Sequence, residues 1–178
     1  SGDMWNTAVG TNSGLNITTG TLNTLIGGRA GDSLTTGSNN VAIGFDALGA
    51  EDEHGGNVAV GYRALKVQNA GSTAYNVAIG RDAGTAVTTG IVNTIVGGLA
   101  ADALTTGSEN VALGYKALST EDTGSHNIAI GSGALENLNY DGSGYNVAIG
   151  HNAGNDVTTG IRNVIIGGLT GDGITTGE

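Results

Sequence analysis

The 178-residue sequence has no cysteine and no proline, and its aromatics are one tryptophan, one phenylalanine and five tyrosines. Without cysteine there is neither a disulfide framework nor a thiolate metal site, and the redox compartment is left open. Positive charge is equally scarce: six Lys and Arg face 16 Asp and Glu, a formal net charge of −10. That balance argues against binding nucleic-acid phosphate or an anionic membrane surface, and fits a role of the charge in solubility. No apolar run approaches the roughly 18 residues of a membrane span, and no signal-peptide pattern stands at the start. The first residues, Ser1-Gly2-Asp3, and the end just after a Thr-Thr-Gly both read as cuts within a longer array.

Glycine, by contrast, fills 34 positions. It has neither the collagen triplet nor the Ser/Gln/Pro bias of disordered chains, so it points to tight turns joining short elements. A chain of turns needs a repeating architecture, and self-similarity is therefore the first thing to seek. An asparagine followed by three small or β-branched residues and a glycine recurs at Asn6, Asn23, Asn40, Asn57, Asn76, Asn93, Asn110, Asn127, Asn146 and Asn163. The steps are 17, 17, 17, 19, 17, 17, 17, 19 and 17 residues, so four coils make a 70-residue unit. Positions 1–178 are one continuous repeat domain, with units at 6–75 and 76–145 and a partial one at 146–178.

Counting each asparagine as position zero, position four is always glycine, from Gly10 to Gly167, as expected where a short strand ends at positive φ. Position seven is alanine except at Ser13 and Thr170, which requires a small side chain there. Six coils then carry Thr-Thr-Gly, read as a second short strand closing in a second glycine turn. The expectation is an all-β fold, a single-stranded parallel β-solenoid or β-roll of ten 17–19-residue coils. At roughly 4.8 Å per coil the stack would span on the order of 48 Å. The asparagine column is expected to bond the turn backbone or itself along the stack.

Alternate strand side chains face opposite ways. Positions one and three are Val, Ile or Leu except for Thr7, Thr24 and Thr94, and are read as the coil interior: Val9, Ile26, Val41, Ile43, Val58, Val60, Val77, Ile79, Val96, Val111, Leu113, Ile128, Ile130, Val147, Ile149, Val164 and Ile166. Position two would then face outward, yet it is Ala8, Leu25, Ala42, Ala59, Ala78, Ile95, Ala112, Ala129, Ala148 and Ile165, with no polar residue. An outward apolar stripe along a whole rod signals an interface between chains.

Asn-Val-Ala-Ile-Gly followed by x-x-Ala, as at Asn76 to Ala83, resembles the head repeat of trimeric YadA-like adhesins. The longer coil, NTIVGGLAADALTTG from Asn93 to Gly107, is similar to arrays of phage tail-fibre-like proteins. The resemblance covers essentially the whole chain and implies a left-handed parallel β-roll, a homotrimer about a common axis, and an extracellular or virion-surface location. The departures are coils longer than those of the adhesin heads and the two coils of 19 residues.

Candidate chemistry is sparse. The longer coils add loops, Lys66 to Tyr75 and Glu136 to Tyr145, and with Tyr62, Tyr75, Tyr115, Tyr140 and Tyr145 these are the expected surface contacts for a glycan or protein receptor. The competing reading of the aromatics is packing over the glycine turn. Glu51-Asp52-Glu53 and Glu121-Asp122 read as acids on exposed turns, not as the separated carboxyl pair of a glycosidase. Asn139, Asp141 and Ser143 alternate beside Gly142 and Gly144 and come nearest to a metal site, although the twelve-residue calcium loop is missing. His54, His126 and His151 show no ligand spacing and read as surface residues. Asp46, Arg63 and Asp82 share position six and could form a charged ladder. No cofactor and no catalytic residue are expected. The leading expectation is a fibre segment that attaches to a host surface, with an adhesin head, an ice-binding threonine array and a polysaccharide-degrading spike as rivals.

Overall fold

A computed structural model describes residues 4–177; the reading of Ser1-Gly2-Asp3 as a cut lies outside the described residues, and the domain is followed over that span. The chain forms ten three-residue strands: β1 (Thr7–Val9), β2 (Thr24–Ile26), β3 (Val41–Ile43), β4 (Val58–Val60), β5 (Val77–Ile79), β6 (Thr94–Val96), β7 (Val111–Leu113), β8 (Ile128–Ile130), β9 (Val147–Ile149) and β10 (Val164–Ile166). They pair in parallel and in chain order within a single sheet, each strand on the next. Equivalent positions fall in register, as in Val41↔Val58, Ala42↔Ala59 and Ile43↔Val60. Among the described residues there is no helix. The fold is an all-β, parallel β-solenoid of tandem coils.

Each coil has one strand, not two. Thr-Thr-Gly is a bend, because one carbonyl of the next coil gathers its successive N–H groups: Thr18, Thr19 and Gly20 all donate to Thr35 O, at 2.9, 3.2 and 3.1 Å. A strand would need alternate N–H groups to point away.

The strand faces are the reverse of the sequence expectation. Position two looks into the coil: Leu25, Ala42, Ala59, Ala78, Ile95, Ala112, Ala129 and Ala148 are fully buried and Ile165 nearly so, within one chain. Only Ala8, in the first coil, is exposed. The residues expected as core point outward. Val9, Ile26, Ile79, Ile149, Val164 and Ile166 are exposed, and Val41, Ile43, Val58, Val60, Val77, Val96, Val111, Leu113, Ile128, Ile130 and Val147 are half-buried.

The physical reason lies across the coil, at position eight. Where position two is Ala42, Ala59, Ala112 or Ala129, position eight is Leu48, Leu65, Leu118 or Leu135, all fully buried. Where position two widens to Leu25, Ile95 or Ile165, position eight shrinks to Gly31, Ala101 or Gly171. A β-carbon on Gly31 would stand 2.9 Å from Leu25 Cδ2. In a thin interior packed to crystal-like density the two columns share volume and no coil is large in both; where both are small, at Ala78 with Gly84 and Ala148 with Gly154, Ile95 Cδ1 and Ile165 Cδ1 reach in from the next coil. Leu34, Val87, Leu104, Leu138 and Val157 at position eleven, with the position-seven alanines, complete the core.

The coil bends at four recurring left-handed positions: the residue before the asparagine, and positions four, six and eight. Only position four is glycine throughout, because crowding is added there to the backbone angle. At Gly114, φ is 139°, and a β-carbon would lie 2.5 Å from the backbone of Gly131 in the next coil. Elsewhere ordinary side chains take the left-handed conformation, including Leu48 (φ 52°), Asp46 (φ 57°) and Tyr75 (φ 53°). Their cost, of order 1 kcal/mol or more each, is offset by packing and inter-coil bonds.

The asparagine column ties successive coils together and closes the 17-residue ones. Asn93 Nδ2 donates to Gly107 O at 2.9 Å within its own coil, and Asn93 Oδ1 accepts the N–H of Asn110 at 3.0 Å in the next. The same rung joins every successive pair from Asn6 to Asn163. The two 19-residue coils differ: Asn127 Nδ2 donates to Ser125 O at 3.2 Å instead of across its own coil, and Asn57 Nδ2 is buried without a partner.

Candidate functional site

Three surfaces of the coil carry side chains beyond those that build it. The first is the outward face of the sheet, where Val, Ile and Leu at positions one and three make two apolar columns along the strands. Parallel sheets are normally covered on both faces. Here the inner face is covered by the coil, and among the described residues no second layer covers the outer face.

The second is an acidic corner at position eleven. Glu51 and Glu121 do not lie on exposed turns; both are fully buried, in the column that holds Leu34, Val87 and Leu104 elsewhere. Glu121 Oε1 accepts the N–H groups of Gly124 at 2.7 Å and Asp122 at 3.1 Å, and Oε2 accepts that of Tyr140 at 3.2 Å. Glu51 Oε1 accepts the N–H of His54 at 3.1 Å, while Gln68 Nε2 donates to Oε2 at 3.1 Å. At His54 and Gly124 these carboxylates accept the N–H that the glycine of Thr-Thr-Gly, as at Gly20, donates to the next coil. Burial pushes both carboxyls above the usual range, opposed by the N–H bonds and, at Glu51, by the charge of a protonated His54.

Glu51, Asp52 and His54 each place a donor atom within 4.8 Å of the others, so they are the residues that could hold a cation. His54 is thus half-buried beside a carboxylate rather than a free surface residue, with Nδ1 3.8 Å from Glu51 Oε1. Asn139, Asp141 and Ser143 are all exposed, and Asp141 Oδ1 is engaged by the hydroxyl of Thr123 at 2.7 Å.

The third surface is the column of residues preceding the asparagines: Trp5, Leu22, Asn39, Gly56, Tyr75, Val92, Glu109, His126, Tyr145 and Arg162. All ten have positive φ, and their side chains project from the same corner of successive coils. In the second 70-residue unit they form a filled ladder: the His126 ring stacks on Tyr145 with centroids 4.9 Å apart, and His126 Nε2 lies 3.6 Å from Glu109 Oε2. In the first unit the residue in the place of His126 is Gly56. A concavity of about 420 Å³ opens there, lined by Thr36, Ser38, Asn39, Glu53, His54, Gly55, Gly56, Thr73 and Tyr75.

The expected tyrosine contacts separate accordingly. Tyr75 and Tyr145 are exposed in this column, Tyr62 and Tyr115 are exposed at position five, and Tyr140 packs against the core instead. Tyr62 stacks on Phe45 at 5.9 Å, with the Arg63 guanidinium 5.9 Å above its ring. The ladder at position six is partly paired: Asp46 lies 3.2 Å from Arg29 and 3.5 Å from Lys66, and Arg63 lies 3.8 Å from Asp82. Sequence reasoning missed the preceding-residue column because its members share a backbone conformation and no chemistry. Their fixed spacing from each asparagine was the available signal. Comparison with protein-family models, with curated proteins and with solved structures gives no match to the chain.

Proposed function

We propose that the chain is a rod segment of a homo-oligomeric fibre, a phage tail-fibre-like protein that attaches to a host surface from an extracellular or virion location. The observation that carries this reading is the outward face of the ten-stranded sheet, apolar at positions one and three along its length except at three threonines. Apolar patches of that extent on a soluble chain mark an interface. Repetition favours a self-interface, because identical coils at a constant rise present the same columns to every copy. Three copies about an axis is the number implied by the resemblance to YadA-like repeats. A bacterial adhesin head uses the same scaffold and is the second reading, favoured by the Asn-Val-Ala-Ile-Gly coils such as Asn76 to Gly80.

A structural role is further supported by the use of the buried carboxylates, which bond backbone N–H groups. A flat threonine array, as ice binding would need, is disfavoured because Thr-Thr-Gly is bent. Sedimentation equilibrium tests the proposal: a mass of three chains is expected, and a stable monomer at micromolar concentration overturns it.

A further inference from the structure

We propose that the gap at Gly56 is a binding site for a neutral pyranose ring, which enters the column where the second unit carries its own imidazole. The two units are an internal comparison. Backbone bonds around the corner correspond: Gly56 N–H donates to Ser38 O at 3.2 Å as His126 N–H donates to Ser108 O at 3.1 Å, and Ala74 donates to Gly55 O as Gly144 does to Ser125 O. Those two bonds match and the rung is missing, although Gly55 follows a different path from Ser125: a β-carbon on Gly55 would run into Ser38 O, and Ser125 N–H donates to Gly142 O at 2.8 Å. A β-carbon on Gly56 would lie 3.0 Å from Thr73 Cγ2 and 3.1 Å from Tyr75 Cδ1, so any side chain there would run onto the tyrosine ring. With glycine, the ring edge at Cδ1 and Cε1 rests beside the glycine backbone, and Tyr75 is 64 % exposed on the wall of the concavity.

The chemistry of the walls selects the ligand. A flat body on Tyr75 would meet hydroxyls of Thr36, Ser38 and Thr73, the amide of Asn39, the carboxylate of Glu53 and the imidazole of His54. That set supplies donors and acceptors around an aromatic platform, which suits a ring with an apolar C–H face and an equatorial belt of hydroxyls. No Lys or Arg lines the cavity, which disfavours anionic sugars and phosphate. Asn39 stands where the second unit has Glu109, and Glu53 stands where it has Thr123, so the wall keeps one carboxylate as an acceptor, and a cationic ring is the competing occupant that the test separates. The inference deepens the host-attachment reading and rests on it only for where the sugar would come from.

The test is saturation-transfer NMR on the whole chain with methyl glycosides of glucose, galactose, mannose and N-acetylglucosamine, and methylguanidinium as a cationic control. At least one glycoside should receive transfer, strongest at its ring C–H protons, with a dissociation constant of about 1 mM, equivalent to roughly 4 kcal/mol. Gly56→His copies the second unit and fills the gap. It should fold, since nine non-glycine residues of this column already take positive φ. Gly56→His and Tyr75→Ala should each weaken binding at least about tenfold, while Leu15→Ala, at an exposed residue of the first coil, leaves it unchanged. Absence of transfer to any glycoside, undiminished transfer in either Gly56→His or Tyr75→Ala, or preference for methylguanidinium overturns the proposal. An array carrying bacterial polysaccharides beside N-glycans distinguishes the source of the sugar. A monomer that still binds sugar overturns the fibre reading alone; an oligomer that does not bind overturns the site alone.

Discussion

The side-chain carbonyl of Asn110 accepts the backbone N–H of Asn127 at 2.9 Å, a bond between residues one coil apart at fully buried positions. Asn110 Nδ2 meanwhile donates to Gly124 O at 2.8 Å. One amide thus ties its own coil shut and fastens the next, in place of water that cannot reach either group. Asn110→Ala should cost about 2 to 6 kcal/mol, since it strands a buried donor and a buried acceptor at roughly 1 to 3 kcal/mol each. Asn110→Asp keeps the acceptor and should cost less near neutral pH than Asn110→Ala. Chemical denaturation with linear extrapolation checks the order.

The inverted strand faces separate two substitutions on neighbouring residues. Ala112→Asp places an unpaired carboxylate in the core opposite Leu118 and should prevent folding, seen as loss of the far-ultraviolet β signal. Val111→Glu with Leu113→Glu alters the outward face of the same strand, and should keep the β signal while reducing the mass in solution to that of one chain. A folded, oligomeric Ala112→Asp variant would restore the opposite facing.

Acid should stabilise the coil stack. Glu51 and Glu121 have carboxyls raised by burial, so the folded chain holds their protons more tightly than the unfolded chain does. Their contribution is fully present below the ordinary value of 4.5 and is lost as pH rises through the raised folded values. Relief of self-repulsion from the net charge of −10 acts in the same direction. The melting temperature should therefore be higher at pH 5 than at pH 8, and the double variant Glu51→Gln, Glu121→Gln should flatten that difference. Gln68, fully buried one coil from Glu51 in the same column, shows that the site accommodates the amide.

Gly114→Ala should destabilise the chain by about 3 kcal/mol or more, combining a left-handed backbone angle of order 1 to 3 kcal/mol with a clash against the next coil. Gly98→Ala, where the nearest foreign atom to an added β-carbon is 3.7 Å away, is the control and should be nearly neutral. Thermal melts of the two variants side by side measure the contrast.

The period, the number of coils, the asparagine rungs and the glycine at position four were all legible from the residues. Each coil solves the same local problem with the same chemistry, so backbone angle and hydrogen-bond demand surface as identical letters at a fixed step. The 70-residue unit was legible for the same reason, and comparing its two copies is what exposes Gly56 against His126.

Which face of the strand looks inward was not legible, because both faces are apolar and a period of two has no sign when neither side is polar. The decision is made by residues six places after position two: Leu48, Leu65, Leu118 and Leu135 cross the coil and leave room only for alanine there. The same closure carries Glu51 and Glu121 into the core, and brings Gly56 beside Tyr75 from the next coil. Sequence alone determined the repeat, since a repeat is a relation along the chain. Tertiary structure decided inside from outside, since that is a competition for volume between residues that meet only once the coil is closed.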